Sequence, residues 1–77
     1  MEIEIVYRVG DRLFPGDNEI NDMIKEHLNG SWQGDESGYG ECSLFLNVDR
    51  FPFASTIAEL KPKLEKLNAT FVGVYQS

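Results

Sequence analysis

Cys42 and His27 are the only residues of their kinds in the chain, and a lone thiol with a lone imidazole is what a nucleophilic mechanism would need. Their settings point elsewhere. Cys42 alternates with Leu44, Leu46 and Val48, and His27 sits at the edge of the stripe Ile20, Met23, Ile24 and Leu28. Both are expected in the layer between helices and sheet, where a cysteine is a small packed hydrophobe. No lysine or arginine stands beside Cys42 to activate it. We therefore read no catalytic residue and no enzyme. Asp35, Glu36 and Glu41 offer oxygen ligands for a hard cation such as calcium or magnesium. Their spacing does not fit a helix–loop–helix calcium loop, and alternation places Glu36 in a turn and Glu41 on a sheet face. The expectation is a solvated acidic turn with no metal and no cofactor. Phosphate loops, Cys-x-x-Cys pairs and dinucleotide fingerprints are absent from the sequence.

The elements that would position these residues are legible. Ile3, Ile5, Tyr7 and Val9 alternate with Glu2, Glu4, Val6 and Arg8, a half-buried first strand. Gly10-Asp11 ends it, and Phe14-Pro15-Gly16 forbids regular structure. Asp17 is suited to cap a helix that stops at Asn29-Gly30. Ser31 to Asp35 reads as a short second strand, and Glu36-Ser37-Gly38 as a three-residue hairpin loop with Gly38 left-handed. That register pairs Asp35 with Tyr39, Gln33 with Glu41, and Trp32 with Cys42, so Trp32 should cover the core beneath the hairpin. The third strand runs from Tyr39 to Val48. A second helix follows Pro52, with Thr56-x-x-Glu59 as a capping box or a start nearer Pro52. Its stripe is Phe53, Ile57, Leu60, Leu64 and Leu67, it should kink at Pro62, and it ends at Asn68. In the last strand, Thr70, Val72 and Val74 alternate with Phe71, Gly73 and Tyr75.

Composition bounds what such a chain can do. Seventy-seven residues make a single domain, 1–77, with a stability of about 5 kcal/mol. Nine aromatics and 42% hydrophobic residues argue for a folded chain. One cysteine cannot close an internal disulfide, the start Met-Glu-Ile-Glu lacks a signal-peptide pattern, and no apolar run spans a membrane. A cytoplasmic protein without membrane attachment is expected. The net charge of −6 is uneven: from Asp17 to Asp49 eight acids face one base, and from Arg50 onward two acids face four bases. An acidic face of this kind keeps a protein soluble or steers a basic partner.

The element order β-α-β-β-α-β specifies an α+β ferredoxin-like sandwich: a four-stranded antiparallel sheet, order 4-1-3-2, with two helices on one face. Residues 34 to 45, Gly-Asp-Glu-x-Gly-x-Gly-Glu-x-x-Leu-Phe, with Pro62 in the second helix, resemble a group of small uncharacterised bacterial ferredoxin-like proteins. These share a Gly-x-Glu-x-Gly-x-Gly-Glu hairpin. The likeness reaches from about Ser31 to Tyr75 and matches Glu36 and Glu41 to that hairpin's acids. It implies the fold and carries no activity. Residues 37 to 44, Ser-Gly-Tyr-Gly-Glu-Cys-Ser-Leu, resemble the RNP1 signature of RNA-recognition domains, which implies base stacking on Tyr39. Ser37 stands where that signature has a base, and Glu41 where it has a second aromatic, so nucleic acid is not the expected partner.

A sheet with helices on one face leaves its other face to water or to a partner. Alternation puts Val6, Tyr39, Glu41, Phe45, Phe71 and Tyr75 there, an apolar patch with acids at its edge and Asp35 and Glu36 in the hairpin beside it. The function expected is that of a non-enzymatic interaction module, binding another protein or itself as a homodimer through this face. A small-molecule regulatory domain is the alternative, followed by RNA binding.

Overall fold

The computed structural model of the chain describes residues 1–9, 18–38 and 40–76. In chain order the elements are β1 (Glu2–Val9), α1 (Asn18–Leu28), β2 (Ser31–Gly38), β3 (Glu41–Asn47), α2 (Ala54–Lys66) and β4 (Ala69–Gln76). The strands form one antiparallel sheet ordered β2-β3-β1-β4, consistent with a ferredoxin-like arrangement. The expected break at Gly10-Asp11, the turn at 14–16 and the Asp17 cap lie outside the described residues.

Alternation in β1 does what its pattern requires. Ile3, Ile5, Tyr7 and Val9 are buried with Cys42, Leu44, Leu46 and Val48 of the neighbouring strand and its end. Against them pack Ile20, Ile24 and Leu28 from α1 and Leu60 and Leu64 from α2, one core between the sheet and both helices. Each fully buried aliphatic side chain stabilises the fold by about 1.5–3 kcal/mol. Both helices stop on an asparagine in the left-handed region, Asn29 (φ 52°) and Asn68 (φ 60°). Gly30 then lets the chain turn flat against β3, because a Cβ there would meet Val48 Cγ1 at 3.1 Å and Leu46 Cβ at 3.2 Å.

Three local expectations are corrected. The hairpin does not turn at 36–38: β2 runs on to Gly38, and the left-handed glycine is Gly40 (φ 77°). Gly38 therefore pairs with Glu41, Ser37 with Cys42, Asp35 with Leu44, and Trp32 with Leu46, with a bulge between Trp32 and Gly34. Asp35 is thereby carried to the helix side of the sheet and Trp32 to the end farthest from the hairpin turn. In β4 the ladder slips by one residue: Val6 pairs with Gly73 but Tyr7 with Phe71, leaving Val72 as the extra residue of a bulge. The bulge reverses the alternation, so Phe71 packs against the core with Val74 and Ala69. Finally, of the two starts open to α2 the helix takes the one nearer Pro52, at Ala54 with Phe53 as N-cap and no side-chain capping bond, so Thr56 lies inside the helix. Phe53 is consequently exposed rather than part of the stripe.

Among the described residues one polar residue enters the core. Asn21 is buried, accepts a hydrogen bond from Tyr7 Oη at 2.8 Å, and donates from Nδ2 to Asp35 Oδ2 at 3.2 Å. This relay joins β1, α1 and β2 and supplies the partner that a buried tyrosine hydroxyl needs.

Candidate interaction surface

The register maps the open face row by row. One row reads Gly34, Phe45, Glu4, Tyr75; the next reads Glu36, Ser43, Val6, Gly73; a third reads Gly38, Glu41, Arg8, Thr70. Val6 is 7% exposed despite facing away from the helices. Its flanks are the small residues Ser43 and Gly73, and the Tyr75 ring lies over Gly73, where an added Cβ would fall 2.7 Å from Tyr75 Cζ. The tyrosine thus fills the space that a glycine leaves on an edge strand, an aromatic cover seen in other sheets. Phe45 is half-buried beside Glu4 and Gly34. Glu41 is exposed and pairs with Arg8 across the strands at 3.3 Å.

The structure therefore brings together Val6, Glu41, Phe45 and Tyr75, and it does not bring Phe71. That ring faces the helices, with Lys61 Nζ 5.9 Å from its centroid. Tyr39 lies outside the described residues. The open face is more polar than alternation alone implies, and in the three rows above Tyr75 is the large apolar side chain left exposed. The acidic pair is divided: Asp35 bonds to Asn21 on the helix side, while Glu36 shares the open face with Glu41 across a shallow depression of ≈ 200 Å³. Among the described residues no three potential metal ligands come together.

Cys42 is buried opposite Tyr7 and Ser37. His27 is engaged elsewhere, donating from Nε2 to the Thr56 carbonyl at 2.8 Å and accepting at Nδ1 from Lys63 Nζ at 3.0 Å. The imidazole thus fastens α1 to α2, and the thiol packs in the sheet.

The exposed apolar residues gather where alternation gave no sign of them. Trp32 (57% exposed) and Phe53 (58%) are joined by Met1 and Phe51, four of the six large hydrophobics left exposed among the described residues. All four belong to one end of the sheet. Met1 exchanges backbone bonds with Val48 at the finish of β3, its amine reaching Asn47 Oδ1 as well. Trp32 pairs with Leu46, and Phe51 and Phe53 follow β3 directly. The Arg50 guanidinium lies 4.6 Å from the centre of the Phe53 ring. Behind these rings is a cavity of ≈ 240 Å³ lined by Leu28, Val48, Arg50, Phe51, Pro52 and Phe53 among others. The signal available in the sequence was Arg50-Phe51-Pro52-Phe53 itself, two aromatics around a proline with no strand or helix to bury them. Among the described residues no helix is long and apolar enough to cross a membrane. No family model, curated protein or solved structure matches the chain.

Proposed function

We propose that this chain is a small, non-enzymatic, cytoplasmic interaction module of the ferredoxin-like class, built on a glycine-rich hairpin that resembles that of the bacterial group named above. The observation that carries the reading is the gathering of Met1, Trp32, Phe51 and Phe53 at one end of the sheet, with Arg50 stacked on Phe53. Tryptophan, aromatic and arginine side chains dominate the energetics of protein interfaces, and exposing four large apolar groups together costs solubility unless something covers them. The acidic residues of α1 and the hairpin supply the field that would orient a basic partner. Trp32 reports on the reading directly, because it is the one tryptophan in the chain. Binding should shift its emission to the blue, and Phe53→Ser should abolish the shift while leaving the far-UV circular dichroism unchanged. Partner capture that survives both Trp32→Ser and Phe53→Ser would sink the proposal.

A second reading rests on the cavity behind Phe51 and Phe53. A small ligand would find both apolar and polar walls there, with Asp49 and Arg50 side by side, but ≈ 240 Å³ lies below the range of about 300–1,000 Å³ common for small-molecule sites. RNA ranks lower, since among the described residues Glu2, Glu4, Glu36 and Glu41 share the open face with a single base, Arg8, and phosphates would be repelled.

A further inference from the structure

The two edges of the sheet are protected very differently. β2 carries Asp35, Glu36 and a bulge near its start, features that discourage another strand from adding to it. β4 has the sequence Ala-Thr-Phe-Val-Gly-Val-Tyr-Gln, without a charge or a proline, in a chain of net charge −6. Its bulge at Val72 leaves Gly73–Gln76 in regular register on β1, and among the described residues no strand lies on its outer side.

The ladder shows which backbone groups that outer side presents. Met1 and Val48 exchange both bonds, and Val9 donates to Gly40 at the far end of the same pair of strands. The odd residues of β1 therefore address β3, and the even ones address β4. Glu4 and Val6 bond to Tyr75 and Gly73, so Val74 and Gln76 turn their N–H and C=O groups away from β1.

We propose that β4 pairs antiparallel with β4 of a second copy of this chain, Val74 bonding to Gln76 of the other copy about a two-fold axis at Tyr75. Only a strand can satisfy a row of backbone donors and acceptors, and charge selects this one. Two-fold pairing sets each residue near its own copy, so a strand bearing charges would face like charges, as β2 would with Asp35 and Glu36. β4 faces valine and tyrosine instead. The two Tyr75 side chains, half-exposed in the single chain, meet at a non-hydrogen-bonded position, where cross-strand partners are closest. The nearest acids in that row, Glu4 of each copy, stand three strand spacings apart, about 14 Å, beyond the screening length of about 8 Å at physiological salt. The result is an eight-stranded sheet joined along the edge opposite β2, so Trp32 stands three strands away from the seam, and Trp32→Ser should remove partner capture while leaving the pairing intact: the two proposals fail or hold separately.

Sedimentation equilibrium on the purified chain, from about 10 μM to about 1 mM, tests this. The wild type should reach twice the monomer mass. Gln76→Pro deletes an N–H that the single chain does not use, so its thermal unfolding at low concentration should match the wild type while dimerisation weakens at least about tenfold. Tyr75→Lys, which sets two cations face to face, should weaken it as much. A wild type that stays monomeric throughout, leaving the edge to some other strand, overturns the proposal. So does dimerisation at wild-type strength in both variants.

Discussion

Deleting Val72 is the sharpest test of how the last strand is built. In the structure Val72 is the surplus residue of the bulge, and every other pairing survives its removal: Gly73 stays opposite Val6, Phe71 opposite Tyr7, Thr70 opposite Arg8. The loss is confined to one side chain that is 41% exposed, about 1 kcal/mol at most. An unbulged strand would respond otherwise. Val72 would then be a core residue worth about 1.5–3 kcal/mol, and its deletion would force Phe71 into a smaller site at about 1–3 kcal/mol more. A chain of this size has only about 4–12 kcal/mol in total, so the two cases are well separated. Urea unfolding followed by circular dichroism, with a parallel thermal melt, measures the difference. The deletion should lower the melting temperature by no more than about 8 °C, since 1 kcal/mol corresponds to about 4–8 °C in a domain of this size. A loss above about 3 kcal/mol, or an unfolded variant, refutes the bulge and returns Phe71 to the open face.

Cys42 should react with a thiol reagent only as fast as the core opens, and Cys42→Ala should cost about 1 kcal/mol; rapid labelling of the native chain would expose the thiol and reopen the question of catalysis. A double-mutant cycle on Tyr7→Phe and Asn21→Ala should give a coupling of about 1–2 kcal/mol, and additive losses would remove the relay from the account. Arg8→Ala should change stability by less than about 1 kcal/mol, because both partners of its ion pair are largely solvated, and the change should vanish in high salt.

The parts legible in the sequence were those in which one physical demand acted alone. The alternation of Ile3, Ile5, Tyr7 and Val9, the stripe Ile20, Ile24, Leu28 and the asparagine stops each answer to a single rule, and the element order followed from them. Legibility failed where two rules were equally satisfied. Gly38 and Gly40 can both take a left-handed turn position, and in the structure it is Gly40 that does so. Thr70, Val72, Val74 and Ala69, Phe71, Val74 are both acceptable inward sets for β4, and nothing local tells a bulged strand from a straight one. The surface reading suffered most, because a bulge at one residue moves an aromatic through the sheet. Periodicity also draws Phe53 into the α2 stripe and says nothing of Phe51, because it describes helices and strands and these two stand just ahead of α2.

The position of β1 in the sheet has a consequence in time. Of the four strands the one synthesised first is an interior strand, and its two neighbours, β3 and β4, are made only after α1 and β2, and after α2, respectively. Ile5 waits for Val74, which lies beyond both helices and the two other strands. Until β4 has emerged, β1 has an open side lined by residues that belong in the core, and no shorter nascent chain can complete the sheet. Pairings so distant in sequence slow folding toward milliseconds or longer, and a chain halted partway would present its stickiest strand to the cell.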